Sequence, residues 1–256
     1  MAWEHEIEVC RHVALRAGEL ALEMSARGIV RENKADASPV TEADRACERL
    51  IVSELAREFP DDGFLGEEGA SRDGKSGRRW IIDPIDGTRD FLRGLPAWCN
   101  LIALEAHGEI VAGTCNLVAR GELYWAVRGS GAYLGDRPIR VSSIARKEES
   151  VLCVTALGDL RAVTFADRIL DFLSSFWAAR SFGGCLDGVQ VISGHAEGWI
   201  ELNAKAWDLA PFKVLAEEAG ARFFNFDGGR SIYGGNAVIC VPALEAEIRS
   251  FLSGGV

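Results

Sequence analysis

Cys-x-x-Cys pairs, His-Glu-x-x-His and mixed Cys/His clusters are all missing from this chain of 256 residues. Their absence removes the familiar sequence patterns of zinc sites. The seven cysteines, Cys10, Cys47, Cys99, Cys115, Cys153, Cys185 and Cys240, are scattered and odd in number, which fits buried free thiols in a reducing compartment better than a disulfide framework. The four histidines, His5, His12, His107 and His195, stand apart and read as surface or packing residues. Cations are scarce as well. With 28 Lys and Arg against 38 Asp and Glu the formal net charge is -10, and no basic run supplies the patch that side-chain binding of nucleic-acid phosphate requires. No apolar stretch approaches the roughly 18 residues of a membrane span, and Met1-Ala2-Trp3-Glu4-His5-Glu6 lacks a basic segment leading into an apolar one. The expectation is a cytoplasmic protein with neither a membrane nor a nucleic-acid partner.

What is present is a chain 48% hydrophobic, able to bury a sizeable core. At its centre stands Trp80-Ile81-Ile82-Asp83-Pro84-Ile85-Asp86-Gly87-Thr88, an apolar run ending in two acids, a proline and a glycine. Trp80 to Ile82 reads as a buried strand, and Pro84 removes the next ladder donor, so the strand is expected to stop at Asp83. A β-turn after it would aim Asp83 and Asp86 at one place, a pair of hard ligands suited to Mg²⁺. Gly87 permits positive φ, and a helix opening at Thr88-Arg89-Asp90-Phe91 would present free N–H groups to an anion. Taken alone, the stretch is better read as an Asp-rich solvated turn, since Pro, Asp and Gly are ordinary turn formers. An acidic protein can nevertheless bind an anionic substrate where divalent cations invert the charge of a carboxylate pocket.

The remaining pattern is mixed. Residues 4–27 space Ile7, Val13, Ala14, Ala17, Leu20, Ala21 and Met24 as an amphipathic helix. A second helix opens at Thr41-Glu42-Ala43-Asp44, where Thr41 and Asp44 match a capping box, and ends before Pro60-Asp61-Asp62-Gly63. Phe64-Leu65-Gly66 is a short strand running into Glu67 and Glu68, with a Gly- and Ser-rich loop over 69–77. Residues 98–141 read as an antiparallel meander with glycine turns. From 151 onward strands at 151–155, 178–182, 199–202, 222–226 and 237–241 alternate with helices at 162–176, 185–193, 207–219 and 244–252, as in an α/β layer. Pro211 is tolerated in a first helical turn, which predicts Asp208 at or near an N-cap. The expected fold class is α/β with mixed α+β character: an N-terminal half over residues 1–145 with the meander and main metal site, and a C-terminal α/β half over 146–256, together one compact domain.

Glu67 after a strand, Asp83 and Asp86 around a turn, Thr88 behind Gly87 and Asp208 at a helix start together resemble the inositol monophosphatase family of Mg²⁺-dependent, often lithium-sensitive phosphatases. The resemblance spans nearly the whole chain. It rests on Asp83-Pro84-Ile85-Asp86-Gly87-Thr88 with Phe91 following, Trp207-Asp208-Leu209-Ala210-Pro211, Gly66-Glu67-Glu68, and Lys34 through Val40-Thr41-Glu42-Ala43-Asp44. It implies an αβαβα layered sandwich of the inositol monophosphatase and fructose-1,6-bisphosphatase type. It implies one Mg²⁺ held by Glu67, Asp83 and the carbonyl of Ile85 and a second held by Asp83, Asp86 and Asp208, with a third, weaker ion near Glu67 and Glu68 in some members. Catalysis would use Glu67 and a hydroxide polarised through Thr88 and Asp44. Substrate contacts would come from Asp86, Gly87, Thr88, Gly183, Gly184 and Glu201, and the molecule would be a homodimer.

Around the substrate the sequence departs from the inositol-specific pattern. Thr88-Arg89-Asp90-Phe91 stands where those members have Thr-Thr-Asn-Phe, and Lys205 replaces a histidine. Arg93-Gly94-Leu95-Pro96, Leu101-Ile102-Ala103-Leu104 and Phe182-Gly183-Gly184-Cys185 look closer to the histidinol-phosphate phosphatase branch. The resemblance therefore implies a phosphomonoesterase for inositol 1-phosphate or histidinol phosphate. A bisphosphatase acting on fructose 1,6-bisphosphate or 3′-phosphoadenosine 5′-phosphate would need further cations, for which Arg180 and Lys205 are the candidates. A non-catalytic partner of RNA or the transcription machinery is the reading from another class, and intact ligand positions and acidic charge speak against it.

Overall fold

The computed structural model describes residues 2–28, 31–33 and 39–254, with the backbone alone for 31–33, 39 and 40. The Lys34 end of the Lys34-to-Asp44 motif lies outside the described residues. The chain opens with α1 (Glu4–Ala26), the two-stranded β1 (Arg31–Asn33) and β2 (Pro39–Thr41), and α2 (Glu42–Glu58). Next come β3 (Gly63–Gly66), β4 (Ser71–Arg72), β5 (Arg78–Asp86), the short α3 (Thr88–Arg93), β6 (Cys99–Ala106), β7 (Glu109–Leu117), β8 (Glu122–Val127), β9 (Gly131–Leu134) and β10 (Arg137–Ile139). The C-terminal part contributes β11 (Val151–Thr155), α4 (Ile169–Ser174), β12 (Ala178–Arg180), α5 (Gly184–Ile192), β13 (Gly198–Glu201), α6 (Ala206–Ala219), β14 (Arg222–Phe224), β15 (Ala237–Cys240) and α7 (Glu245–Ser253).

Two large sheets result. The first runs β10-β9-β8-β7-β6-β5-β3-β4, the second β12-β11-β13-β15-β14. Strand alternation assigns the core on each face. Trp80, Ile82, Ile102 and Leu104 face α1 and α2, where Val13, Cys47, Ile51 and Leu55 meet them. Ile81, Leu101 and Ala103 face the opposite way, onto α5 and α6, and through them onto Trp199, Phe223 and Ile239 of the second sheet. The second sheet's outer face is covered by Ile169 of α4, Ile248 and Phe251 of α7, and Phe165 from the turns before α4. The order is therefore helix, sheet, helix, sheet, helix, the expected αβαβα sandwich. No helix among the described residues is long and apolar enough to cross a membrane.

Three local expectations are corrected. First, β5 does not stop at Asp83. It continues to Asp86, and its register against β6 shifts from Asp83↔Leu101 to Asp86↔Cys99. One extra residue is accommodated as a bulge at Pro84 and Ile85, which keeps the missing proline donor out of the ladder; Asn100 Nδ2 donates to the Pro84 carbonyl there. Second, the helix expected over 162–176 is only α4, because the extended Val163 (φ -90°, ψ 152°) follows a 3₁₀ turn and breaks the first part. Third, Pro211 is the sixth residue of α6 and Asp208 the third, with Lys205 as N-cap. Close packing accompanies that proline: a Cβ on Gly113 of β7 would lie 3.1 Å from Pro211 Cα and 3.0 Å from Val214 Cγ1, so β7 is bare there and α6 lies directly on the sheet.

Candidate active site

The β5 bulge decides where the acids point. In an unbroken strand Asp83 and Asp86, three residues apart, would face opposite sides; one inserted residue restores them to the same side. Asp83 Oδ1 accepts the Ile85 amide at 3.1 Å, fixing the bulge from within. β3 pairs parallel to β5, and the Glu67 amide donates to Ile82 O at 3.1 Å, so Glu67 leaves its strand beside Asp83. On the other side α6 delivers Asp208, whose Oδ2 accepts the Lys205 amide at 2.7 Å. Carboxylate oxygens of Asp83, Asp86 and Asp208 all lie within 4.8 Å of one another. These residues, with Glu67, Ile85, Thr88 and Glu201, line a cleft of about 720 Å³ between the two sheets.

The cleft is strongly acidic. Glu67, Asp83, Asp86, Asp90, Glu201 and Asp208 line it, against Arg89 and Lys205. Burial pushes Asp83 well above the usual carboxylate range, with the charges of Glu67, Asp86 and Asp208 adding to it. Burial and Glu67 raise Asp86 to about 6, and burial and Asp86 raise Asp208 to about 7. Carboxylates crowded until they resist ionisation, with a backbone carbonyl beside them, are a donor set fitted to a hard divalent cation, whose charge would relieve the repulsion. The acidic cluster can bind a metal ion.

Beside the cluster, Asp44 performs two tasks with one carboxylate. Its Oδ2 accepts the Thr41 amide at 2.8 Å and the Thr41 hydroxyl at 2.5 Å, closing the capping box of α2. Its Oδ1 faces the Thr88 hydroxyl at 3.3 Å, and Ile85 O competes for the same hydrogen at 3.2 Å. Burial raises Asp44 above the ordinary carboxylate value. Gly87, at φ 85°, caps α3, and a Cβ there would stand 2.7 Å from Ala97 O, so only glycine fits. The Asp90 and Phe91 amides bond back to Gly87 O, which leaves the preceding amides of α3 outside the intrahelical ladder.

The far wall comes from the second sheet. Gly183 and Gly184 open α5 against Asp90 and Asp86: a Cβ on Gly184 would be 3.4 Å from Asp86 Oδ2. Glu201 ends β13, is buried, and is pushed by burial to about 8. Arg180, put forward for a second phosphate, does not line the cleft; Lys205 does, and so does Arg89, which the sequence reading placed at the start of α3 without naming it as a cation of the site.

Two positioning residues were also missed. Glu48, one turn after Asp44 on α2, accepts the Glu68 amide with Oε2 and the Ala70 amide with Oε1, both at 2.8 Å. It thereby fixes the loop carrying Glu67 and Glu68, and bare Gly66 makes room for it, since a Cβ there would overlap Glu48 Oε2 at 2.2 Å. The signal was the i, i+4 spacing from Asp44, which puts both acids on one helix face. Asp187 is wholly buried and accepts the Phe182 amide at 2.8 Å, the Gly183 amide at 3.3 Å and the Thr155 hydroxyl at 2.8 Å, while Trp199 Nε1 donates to that hydroxyl at 2.7 Å. That chain holds the glycine loop on the second sheet, and nothing in the sequence marks it beyond an acid early in a helix.

Fold and cleft together define an enzyme of the phosphoric monoester hydrolase class. A family model described as the inositol monophosphatase family matches residues 3–252, and the chain belongs to that family. Among curated relatives it is 37% identical over 235 residues to a histidinol-phosphatase of Chlorobaculum parvum, covering 91% of each chain. It is 32% identical over 251 residues to the Nus factor SuhB of Pasteurella multocida, covering 93% of each. Among solved structures, the Thermotoga maritima IMPase superposes with a TM-score of 0.88 at 28% identity, over 98% of this chain and 97% of that one.

Proposed function

We propose that this chain is a Mg²⁺-dependent phosphomonoesterase for a small soluble phosphate ester, working as a cytoplasmic homodimer. The observation that carries the reading is the convergence of Asp83, Asp86 and Asp208 beside Glu67, next to the Thr88–Asp44 pair. Glu67, Asp83 and Ile85 O would hold one ion, and Asp83, Asp86 and Asp208 the other. When bound, two such ions neutralise the pocket, activate water and stabilise the charge on the leaving oxygen. The residues do the remaining work. With Ile85 O engaged by the ion and the Thr88 hydrogen given to Asp44, the Thr88 oxygen would accept a proton from the attacking water, and Asp44, its carboxylate raised by burial, would be the sink behind it. The first amides of α3 would cradle phosphate oxygens, and Gly183, Gly184 and Glu201 would contact the alcohol. Residues 1–145 and 146–256 would act as one unit, because α6 packs on both sheets.

The Chlorobaculum relative makes histidinol phosphate the first ester to test and inositol 1-phosphate the second. Phosphate release should be measured with these two, fructose 1,6-bisphosphate and 3′-phosphoadenosine 5′-phosphate, with Mg²⁺ and with EDTA. Release from one of the monoesters that vanishes in EDTA is expected; turnover that survives chelation sinks the mechanism. The Pasteurella relative named as a Nus factor supports a second reading, a partner of the transcription machinery. No release from any ester, together with partner capture that Asp208→Asn leaves intact, would establish it instead.

A further inference from the structure

All seven cysteines are buried, so burial by itself singles out none of them. Two differ in their neighbour. Cys99 of β6 and Cys185 of α5 both lie against Asp86: one oxygen of that carboxylate and the two sulfurs are all within 4.8 Å of one another, and Cys99 Sγ is 3.8 Å from Asp86 Oδ2. A tetrahedral zinc ion with bonds of about 2.3 Å to sulfur and 2.0–2.2 Å to oxygen sets its S···O separations near 3.5 Å and its S···S separations near 3.7 Å. The three donors therefore need shifts of an ångström or less to close on such an ion. They come from three different elements, which fixes them, and Cys185 lines the cleft, which gives an ion a way in.

We propose that Asp86, Cys99 and Cys185 form a second cation site, selective for thiophilic ions such as Zn²⁺ or Cd²⁺, that shares Asp86 with the all-oxygen set and stops phosphate release when filled. Sulfur donors select against Mg²⁺, which takes oxygen. Each thiol yields its proton to the buffer as its sulfur–metal bond forms, and no electrons are exchanged. A cation drawn to the sulfur side would take Asp86 away from Asp83 and Asp208. The binding is independent of the proposed reaction; the inhibition rests on it.

The test is titration of the full chain with Cd²⁺ in Mg²⁺-free buffer, following the ultraviolet charge-transfer absorption of cadmium thiolates. One equivalent should saturate the band. Cys185→Ala and Cys99→Ala should each diminish it, and Cys240→Ser, in the outer core of the second sheet, should leave it unchanged. No saturable band in the wild type, or a band untouched by Cys185→Ala, overturns the site; Cys185→Ala is decisive by itself even if Cys99→Ala fails to fold. In a parallel titration with Mg²⁺ present, phosphate release should be lost as the thiolate band fills and return with a thiophilic chelator. A full band with undiminished release overturns the inhibitory half alone, and a chain that hydrolyses no ester leaves the band readout intact.

Discussion

The floor and the far wall of the cleft are built differently. Three acids of the floor are held by backbone devices that would be there for structural reasons alone: Asp83 by the bulge amide, Asp208 by the first turn of α6, and Asp44 by the capping box of α2. The far wall depends on side chains meeting across elements, as Asp187 does with Thr155, Trp199 and the glycine loop. A floor wired into local backbone geometry can be reused with many substrates, whereas a wall assembled from distant contacts is free to change and, in the proposed reaction, would set which alcohol fits.

The sharpest test of that contrast separates the two roles of a floor acid. Asparagine keeps a carbonyl oxygen for the Lys205 amide, so Asp208→Asn should melt within a degree or two of wild type while kcat falls roughly 10³-fold, on the scale of removing a preorganised charge-stabilising group. Wild-type turnover in that variant would remove Asp208 from the chemistry.

Next in size, Asp44→Asn and Thr88→Ala should each lower kcat by about 10²-fold or more with KM little changed. The double variant should be scarcely worse, because the two groups act as one unit. If the losses multiply, the Thr88–Asp44 contact is structural only.

Glu48→Gln probes support one step removed from the floor. Loosening the 66–70 loop should raise the Mg²⁺ concentration for half-maximal activity by roughly 10–100-fold, and saturating Mg²⁺ should restore most of kcat. A kcat defect that no amount of metal repairs would count against a positioning role.

Glu201→Gln addresses the wall. Its expected signature is a change of about tenfold in kcat/KM for one ester and little for another, the scale of one altered hydrogen bond. Equal losses on every ester would move Glu201 from wall to floor.

The smallest effect is one of pH. Asp86 at about 6 and Asp208 at about 7 lie above the ordinary Asp value, so between about pH 4 and pH 7 the folded chain binds more protons than the unfolded one. Stability without metal must therefore fall as pH rises through that window. In EDTA, Tm should drop by a few degrees from pH 5 to pH 8, and Mg²⁺ should remove most of the drop. A Tm that rises with pH in EDTA would contradict the crowding of these carboxylates.

Why the floor was legible and the wall was not follows from the same contrast. Asp83, Asp86, Glu67 and Asp208 sit at strand ends and a helix start, places that proline, glycine and apolar patterning mark in a linear sequence. The bulge was still missed, because Pro84 forbids a regular ladder without saying whether the strand ends or kinks, and here Asn100 and the β6 pairing carry it on to Asp86. Asp208 does stand near the N-cap, in the first turn of α6, but Pro211 lies beyond that turn, tolerated where the helix lies on bare Gly113. Glu48 gains its role from amides 20 and 22 residues on, Asp187 in part from Thr155, 32 residues away, and Arg89 from the direction of a short helix. The i, i+4 spacing of Glu48 from Asp44 marks a shared helix face, and local patterning holds no record of the partners that face meets.

α6 also makes this enzyme a gauge of its own assembly. The helix follows β13 of the second sheet in sequence, yet it rests on β5 to β9 of the first and carries Asp208 to meet Asp83 and Asp86. A slip of one ångström between the layers would pull that carboxylate out of register while both sheets kept every strand pairing. Activity should therefore decay before circular dichroism or fluorescence records any unfolding, and crowders or ligands that press the layers together should restore turnover without changing secondary structure.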